Sequence, residues 1–187
     1  SIPFYFETMT LWYKIGIDKT LLRAGQLFGM AALVMFFAQI ISAVRGQYLE
    51  KHFGRAVMTR LHRINGRFIL FLAITHVILV LAPEGITNLP IGKKHWPEMI
   101  GAVLLLITAV TVISTHFRQQ LGITFNLWRT VHKTLGYFVV FLLPVHVVFV
   151  SDSFDYSQLR APLILLFSVL ALWVISAKIL QYFNKGQ

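Results

Sequence analysis

Four histidines stand in two pairs of identical spacing. His62 and His76 lie fourteen residues apart, and so do His132 and His146. In each pair a basic residue follows the first histidine, Arg63 or Lys133. A glycine follows four places after it, Gly66 or Gly136. On an α-helix fourteen residues turn about 1,400°, within roughly 40° of whole turns, and rise about 21 Å. Both imidazoles of a pair therefore share one helix face, at opposite ends of a hydrocarbon layer about 30 Å thick. Two parallel helices carrying such pairs bring His62 level with His132 and His76 level with His146. Two imidazoles facing each other at one depth are the arrangement that holds a haem iron from above and below.

The helices that must position these residues are written in the composition. Of 187 residues, 57% are hydrophobic and only 13% charged, about half the charged share of a soluble domain. No Asp, Glu, Lys or Arg occurs in 24–44, 68–83, 99–117, 134–151 or 161–177. With their flanks these runs reach the roughly 17–25 residues that a membrane span needs. A soluble bundle would need a polar outer face on each helix. The expected fold class is all-α, a multi-pass membrane helical bundle of about five transmembrane helices. The expected spans are 22–44, 60–82, 98–117, 128–151 and 160–181. Residues 1–20 mix Phe4, Tyr5, Phe6, Trp12 and Tyr13 with charges and read as an interfacial segment. Residues 21–187 read as one domain. The loop holding Pro83, Pro90 and Pro97 is expected to lie outside the helices.

The net charge of +10 reads as topology rather than as a nucleic-acid footprint. Lys and Arg concentrate on the cytoplasmic side of membrane proteins. The segment 45–67 holds Arg45, Lys51, Arg55, Arg60, Arg63 and Arg67 against Glu50, and the connection before the fourth span adds Arg118, Arg129 and Lys133. Lys178 and Lys185 follow the last span. The opposite connections are balanced: Lys93 and Lys94 against Glu84 and Glu98, and Arg160 against Asp152 and Asp155. Five spans then put the N-terminus outside, where Lys14, Lys19 and Arg23 run against the rule. The first twenty residues, with Glu7, Lys14, Asp18 and Lys19, are not expected to form a cleavable signal peptide.

The chain has no Cys. Disulfides, iron–sulfur clusters, thiolate zinc sites and covalently attached c-type haem are thereby excluded. The cofactor expectation is two haem b groups with iron ligands His62, His132, His76 and His146. Gly66 and Gly136, one turn past the inner ligands, leave room for a macrocycle. Arg63, Arg67, Arg129 and Lys133 surround the inner pair and are candidates for the haem propionates, which are carboxylates. Arg23 is the outer candidate, with Lys93 and Lys94 behind it. His52, His95 and His116 are not assigned as ligands, and no residue is assigned a catalytic role. Pro144, two residues before His146, is expected to kink its helix. Competing readings are zinc, which wants four ligands, and a duplication scar with no haem.

HRINGRFILFLAITH and HKTLGYFVVFLLPVH, together with LFGMAALVMFFAQIISAVRGQYLEKHFG and ISTHFRQQLGITFNLWRTVHKTLGY, resemble the ferric-reductase-like transmembrane domain, the membrane part of ferric reductases and NADPH oxidases. The likeness covers roughly residues 21–180. It implies an inner b haem on His62 and His132, an outer one on His76 and His146, and electron flow from cytosol to outer face. Family members usually have six spans, so the first is expected to be missing here. They also usually continue into a flavin and nicotinamide domain. No G-x-G-x-x-G fingerprint occurs, so the partner is expected to be a separate flavoprotein, another donor subunit, or a flavin domain not in this chain. Oxidases of the family often carry a further His one turn past the outer ligand; here that position is Val80. The resulting reading is the membrane electron-transfer part of an oxidoreductase in a bacterial cytoplasmic membrane, with membrane lipid and the donor as partners and no nucleic acid. The alternatives are a quinol-linked cytochrome b subunit, in which Asn65 or Asn126 would serve a quinone, and a haem-free transporter or assembly subunit.

Overall fold

A backbone surrounded by hydrocarbon must satisfy its own N–H and C=O groups, so uncharged runs of this length become helices. The computed structural model describes residues 11, 13–44, 51–85, 88–150 and 157–183. Five long helices follow in order: α1 Gly16–Val44, α2 Arg55–Leu81, α3 Trp96–His116, α4 Phe125–Val150 and α5 Ser157–Phe183. All five are long and apolar enough to cross a membrane. The expectations resting on Phe4, Tyr5, Phe6, Glu7, Trp12, Arg45, Glu50, Asp152, Asp155 and Lys185 lie outside the described residues, as does the side chain of Lys178.

The helix ends differ from the sequence expectation in one consistent way. Helix α1 begins at Gly16 rather than near 22, and α2 at Arg55 rather than near 60. Charge-free runs mark the hydrocarbon, whereas helices continue past it into water, where Arg and Lys are good helix formers. Asp18 sits in the first turn of α1, where the helix dipole favours an acid. Gly54, at φ 75, ends the preceding chain in the left-handed region and releases it into α2. Pro97 also departs from expectation. It lies inside the first turn of α3, where a missing N–H costs nothing. Helix α4 runs through Pro144 as one element.

Helices α1 and α2 pack most extensively together, then α3 and α4, so the molecule is built from two helical hairpins with α5 laid against them. One core cluster, Leu104, Ile107, Val139, Leu143 and Phe167, joins α3, α4 and α5. A second, Ile40, Val44, Leu170 and Val174, joins α1 to α5. Outward-facing residues stay apolar: Phe141 is 72% exposed and Leu165 65%. A surface of that kind is stable only against lipid. Among the described residues α2 and α4, the two histidine helices, make at most marginal contact with each other.

Candidate metal centre

At the outer end, His76 and His146 are held by the same local device. The Nδ1–H of His76 donates to the Gly25 carbonyl of α1 at 2.8 Å. The Nδ1–H of His146 donates to the Pro97 carbonyl of α3, also at 2.8 Å. A carbonyl only accepts, so the proton lies on Nδ1 and the Nε2 lone pair is left for another group. In both cases the residue four places after the accepting carbonyl is a glycine. A Cβ added at Gly29 would meet His76 Nδ1 at 2.8 Å, and one added at Gly101 would meet His146 Cε1 at 2.5 Å. Each imidazole thus lies in the notch of a missing side chain and reaches the carbonyl that the notch exposes.

Gly25 has a second use. A Cβ there would meet Val80 Cγ2 at 2.8 Å. Gly25 and Gly29 form a G-x-x-x-G step that lets α1 and α2 approach closely. Val80 is spent on this packing.

The inner end is organised differently. The rings of His62 and His132 face each other with centroids 6.2 Å apart and planes at 68°. They line a cavity of about 1520 Å³. The cavity is bounded by α2 and α4 with parts of α1 and α3, and it fills the gap that those two helices leave between them. Gly66, Gly136, Arg63, Arg67, Arg129 and Lys133 all line it, so every inner candidate read from the sequence is brought to one place. A Cβ at Gly136 would meet nothing within 4 Å. At Gly66 the nearest atom is Gln39 Nε2, at 3.3 Å from such a Cβ.

His62 is fixed by side chains of α1. The Gln39 amide donates to Nε2 at 3.2 Å, which leaves the proton on Nδ1. Nδ1–H donates to Ser42 Oγ at 3.1 Å, and Ser42 passes its own hydrogen to the Gln39 carbonyl at 2.8 Å. Asn65 completes the network, donating to the Met35 carbonyl at 2.9 Å and to Gln39 Oε1 at 2.8 Å. Both amide hydrogens of Asn65 are committed, while its Oδ1 is buried without a hydrogen-bond partner among the described residues. His132 has no comparable bond: its Nδ1 is buried without a hydrogen-bond partner among the described residues.

The remaining sequence candidates divide. Arg23 is half-buried on α1, two residues before Gly25, and so stands at the depth of the outer pair. Lys93 and Lys94 are exposed in the short 3₁₀ turn before α3. His95 lies 3.5 Å from Glu98 Oε1. His116, left unassigned, lines the inner cavity. Among the described residues no three His, Cys, Asp or Glu gather around one point.

A family model described as ferric reductase like transmembrane component matches residues 28–143, more than half of the chain. The match takes in His62, His76 and His132 and ends three residues before His146. Domains of this kind generally bind haem, and they generally work with a flavin or other donor domain, fused or separate. No curated protein and no solved structure matches the chain.

Proposed function

The chain belongs to the ferric-reductase-like transmembrane family, and on that premise we propose that it carries electrons across the membrane through two bis-histidine b haems, from a cytoplasmic donor to an acceptor at the outer face. The observation that carries this reading is the inner pair of imidazoles across an open cavity. A metal–imidazole bond is about 2.0 Å, and a ring nitrogen lies about 1.1 Å from its centroid, so two imidazoles on one ion stand about 6.3 Å apart. The rings of His62 and His132 stand 6.2 Å apart.

Two further features support a haem there. Gly136 leaves open space one turn past His132. Arg63, Arg67, Arg129 and Lys133 line the cavity and would receive two carboxylates. A ligand taken by Nε2 of His62 replaces the Gln39 amide at that nitrogen. At the outer pair His76 and His146 would serve, with Nδ1 tied to backbone and Nε2 available; Arg23 would meet propionates at that depth. Haem, when bound, supplies the one-electron couple, and the protein supplies ligand geometry, burial and local charge. Two imidazoles on each iron would leave no open position on the metal for an acceptor. The donor is a flavoprotein or other donor subunit, or a flavin domain of a longer chain, in a bacterial cytoplasmic membrane.

A visible spectrum of the reduced protein tests the reading, taken on wild type and on His76→Ala. Sharp b-type bands are expected from wild type, with about half the haem lost in the variant, since one of two sites loses an axial ligand. A colourless wild type after haem is supplied favours a haem-free transporter or assembly subunit. Full haem content in His76→Ala overturns the outer assignment.

A further inference from the structure

We propose that Trp128 is the positioning residue for His132, orienting by ring contact the one ligand imidazole whose Nδ1 has no hydrogen-bond partner among the described residues; the proposal rests on the dihaem reading above. The other three ligands are each pinned through Nδ1: His76 to the Gly25 carbonyl, His146 to the Pro97 carbonyl and His62 to Ser42. Bonds of this kind fix the orientation and tautomer of a metal-binding imidazole and raise its basicity. His132 is half-buried with its Nδ1 enclosed, yet that nitrogen has no such bond among the described residues, so something else must limit its rotation.

Trp128 lies one helical turn before His132, on the same face of α4. Its ring centroid is 5.1 Å from the imidazole, and the two planes are tilted by only 32°. The indole is itself anchored. Its Nε1–H donates to Thr115 Oγ1 on α3 at 3.3 Å, and Thr115 donates to the Thr111 carbonyl at 2.6 Å. Phe125 closes on the indole at 5.7 Å. Trp128, Thr115 and His132 all line the inner cavity. The indole is thus a wall fastened to the neighbouring helix, and the imidazole leans on it where its three counterparts hang from an oxygen. A ligand held this way keeps its direction without gaining basicity, so His132 is the weakest electron donor of the four.

The test uses the purified full chain loaded with haem, in wild type and in Trp128→Leu, Trp128→Phe, Thr115→Val and His132→Ala. Low-temperature electron paramagnetic resonance reads the imidazole arrangement at each oxidised haem, and haem retention on dilution reads affinity. Trp128→Leu is expected to shift or broaden the inner signal and to weaken inner retention by about 10-fold or more, the scale for losing an outer-shell partner. The outer signal stays as in wild type. Trp128→Phe restores most of the inner signal because it restores a ring. Thr115→Val falls between, since it frees the indole and leaves it in place. An unchanged inner signal in Trp128→Leu overturns the proposal, and so does equal loss of both signals. If His132→Ala loses no haem, the dihaem reading itself fails; if it loses the inner haem while Trp128→Leu matches wild type, only the role of Trp128 fails.

Discussion

The outer and inner histidine pairs look alike in sequence and are held by unlike means. The outer imidazoles hang from backbone carbonyls, at Gly25 and Pro97, and rest in glycine notches at Gly29 and Gly101. The inner ones depend on side chains: Ser42 and Gln39 for His62, and ring contact with Trp128 for His132. A carbonyl cannot be mutated away, so the outer geometry is encoded in what the neighbouring helices lack. The inner geometry is encoded in what they carry, around a cavity of about 1520 Å³ open to ligands. The two ends should therefore fail to different substitutions.

Glycine replacement gives the largest contrast. Gly101→Leu is expected to abolish the outer haem, about half of the total, because its Cβ alone would meet His146 Cε1 at 2.5 Å. The ring must swing away and release the Pro97 carbonyl, and overpacking of this kind typically costs 1–3 kcal/mol. Gly136→Ala should leave the fold unchanged, since no atom of the protein lies within 4 Å of the added methyl, and should weaken inner haem retention only by the room one methyl takes from the macrocycle. Gly136→Leu, in contrast, should fill the cavity and remove the inner half while the protein stays folded. Haem quantitation with circular dichroism on the three variants checks the pattern. Equal effects at positions 101 and 136 would erase the distinction between a notch and a cavity.

How far the sequence was legible follows from the same distinction. The five spans, the four histidines and their pairing by depth are readable because charge-free length and a fourteen-residue step carry that information alone. Gly66 and Gly136 are readable because they sit at fixed steps from histidines on their own helices. Gly29 and Gly101 are not, because each serves a histidine on a different helix, and a glycine acquires meaning only once its neighbour is known. The G-x-x-x-G step from Gly25 to Gly29 was the available hint. Gln39 and Ser42 escaped because a search for missing charge passes over uncharged polar groups. Trp128 escaped because an aromatic next to Arg129 reads first as an interfacial anchor. Pro97 was read as a reason for a loop, although the first helical turn accepts proline and offers its carbonyl.

A smaller effect is expected from Ser42→Ala. The substitution removes the oxygen that accepts the His62 Nδ1–H at 3.1 Å and leaves the imidazole less basic. The inner midpoint potential should move positive and inner haem retention should fall by about 10-fold, the low end for an outer-shell partner. The outer couple should not move, because its ligands are tied to carbonyls that Ser42 does not touch. A redox titration resolving the two haems measures both at once. A shift confined to the outer couple would mean that the two pairs have been assigned to the wrong ends.

The smallest effect should come from the ion pair at the outer end of the first hairpin. Lys14 Nζ lies 2.9 Å from Glu84 Oε1, joining the chain just before α1 to the chain just after α2. The pair also accounts for one basic residue on the side where they are scarce, since its charge is matched by an acid. Its carboxylate is 37% exposed, and pairs in contact with solvent contribute about 0–1 kcal/mol. Lys14→Ala should therefore lower the thermal stability of the purified protein by less than about 1 kcal/mol and leave the outer haem spectrum unchanged. Backbone and glycine, not hairpin closure, are what hold His76. A loss of outer haem in Lys14→Ala would reverse that order, because it would show the imidazole following the charge pair instead of the carbonyl and the notch.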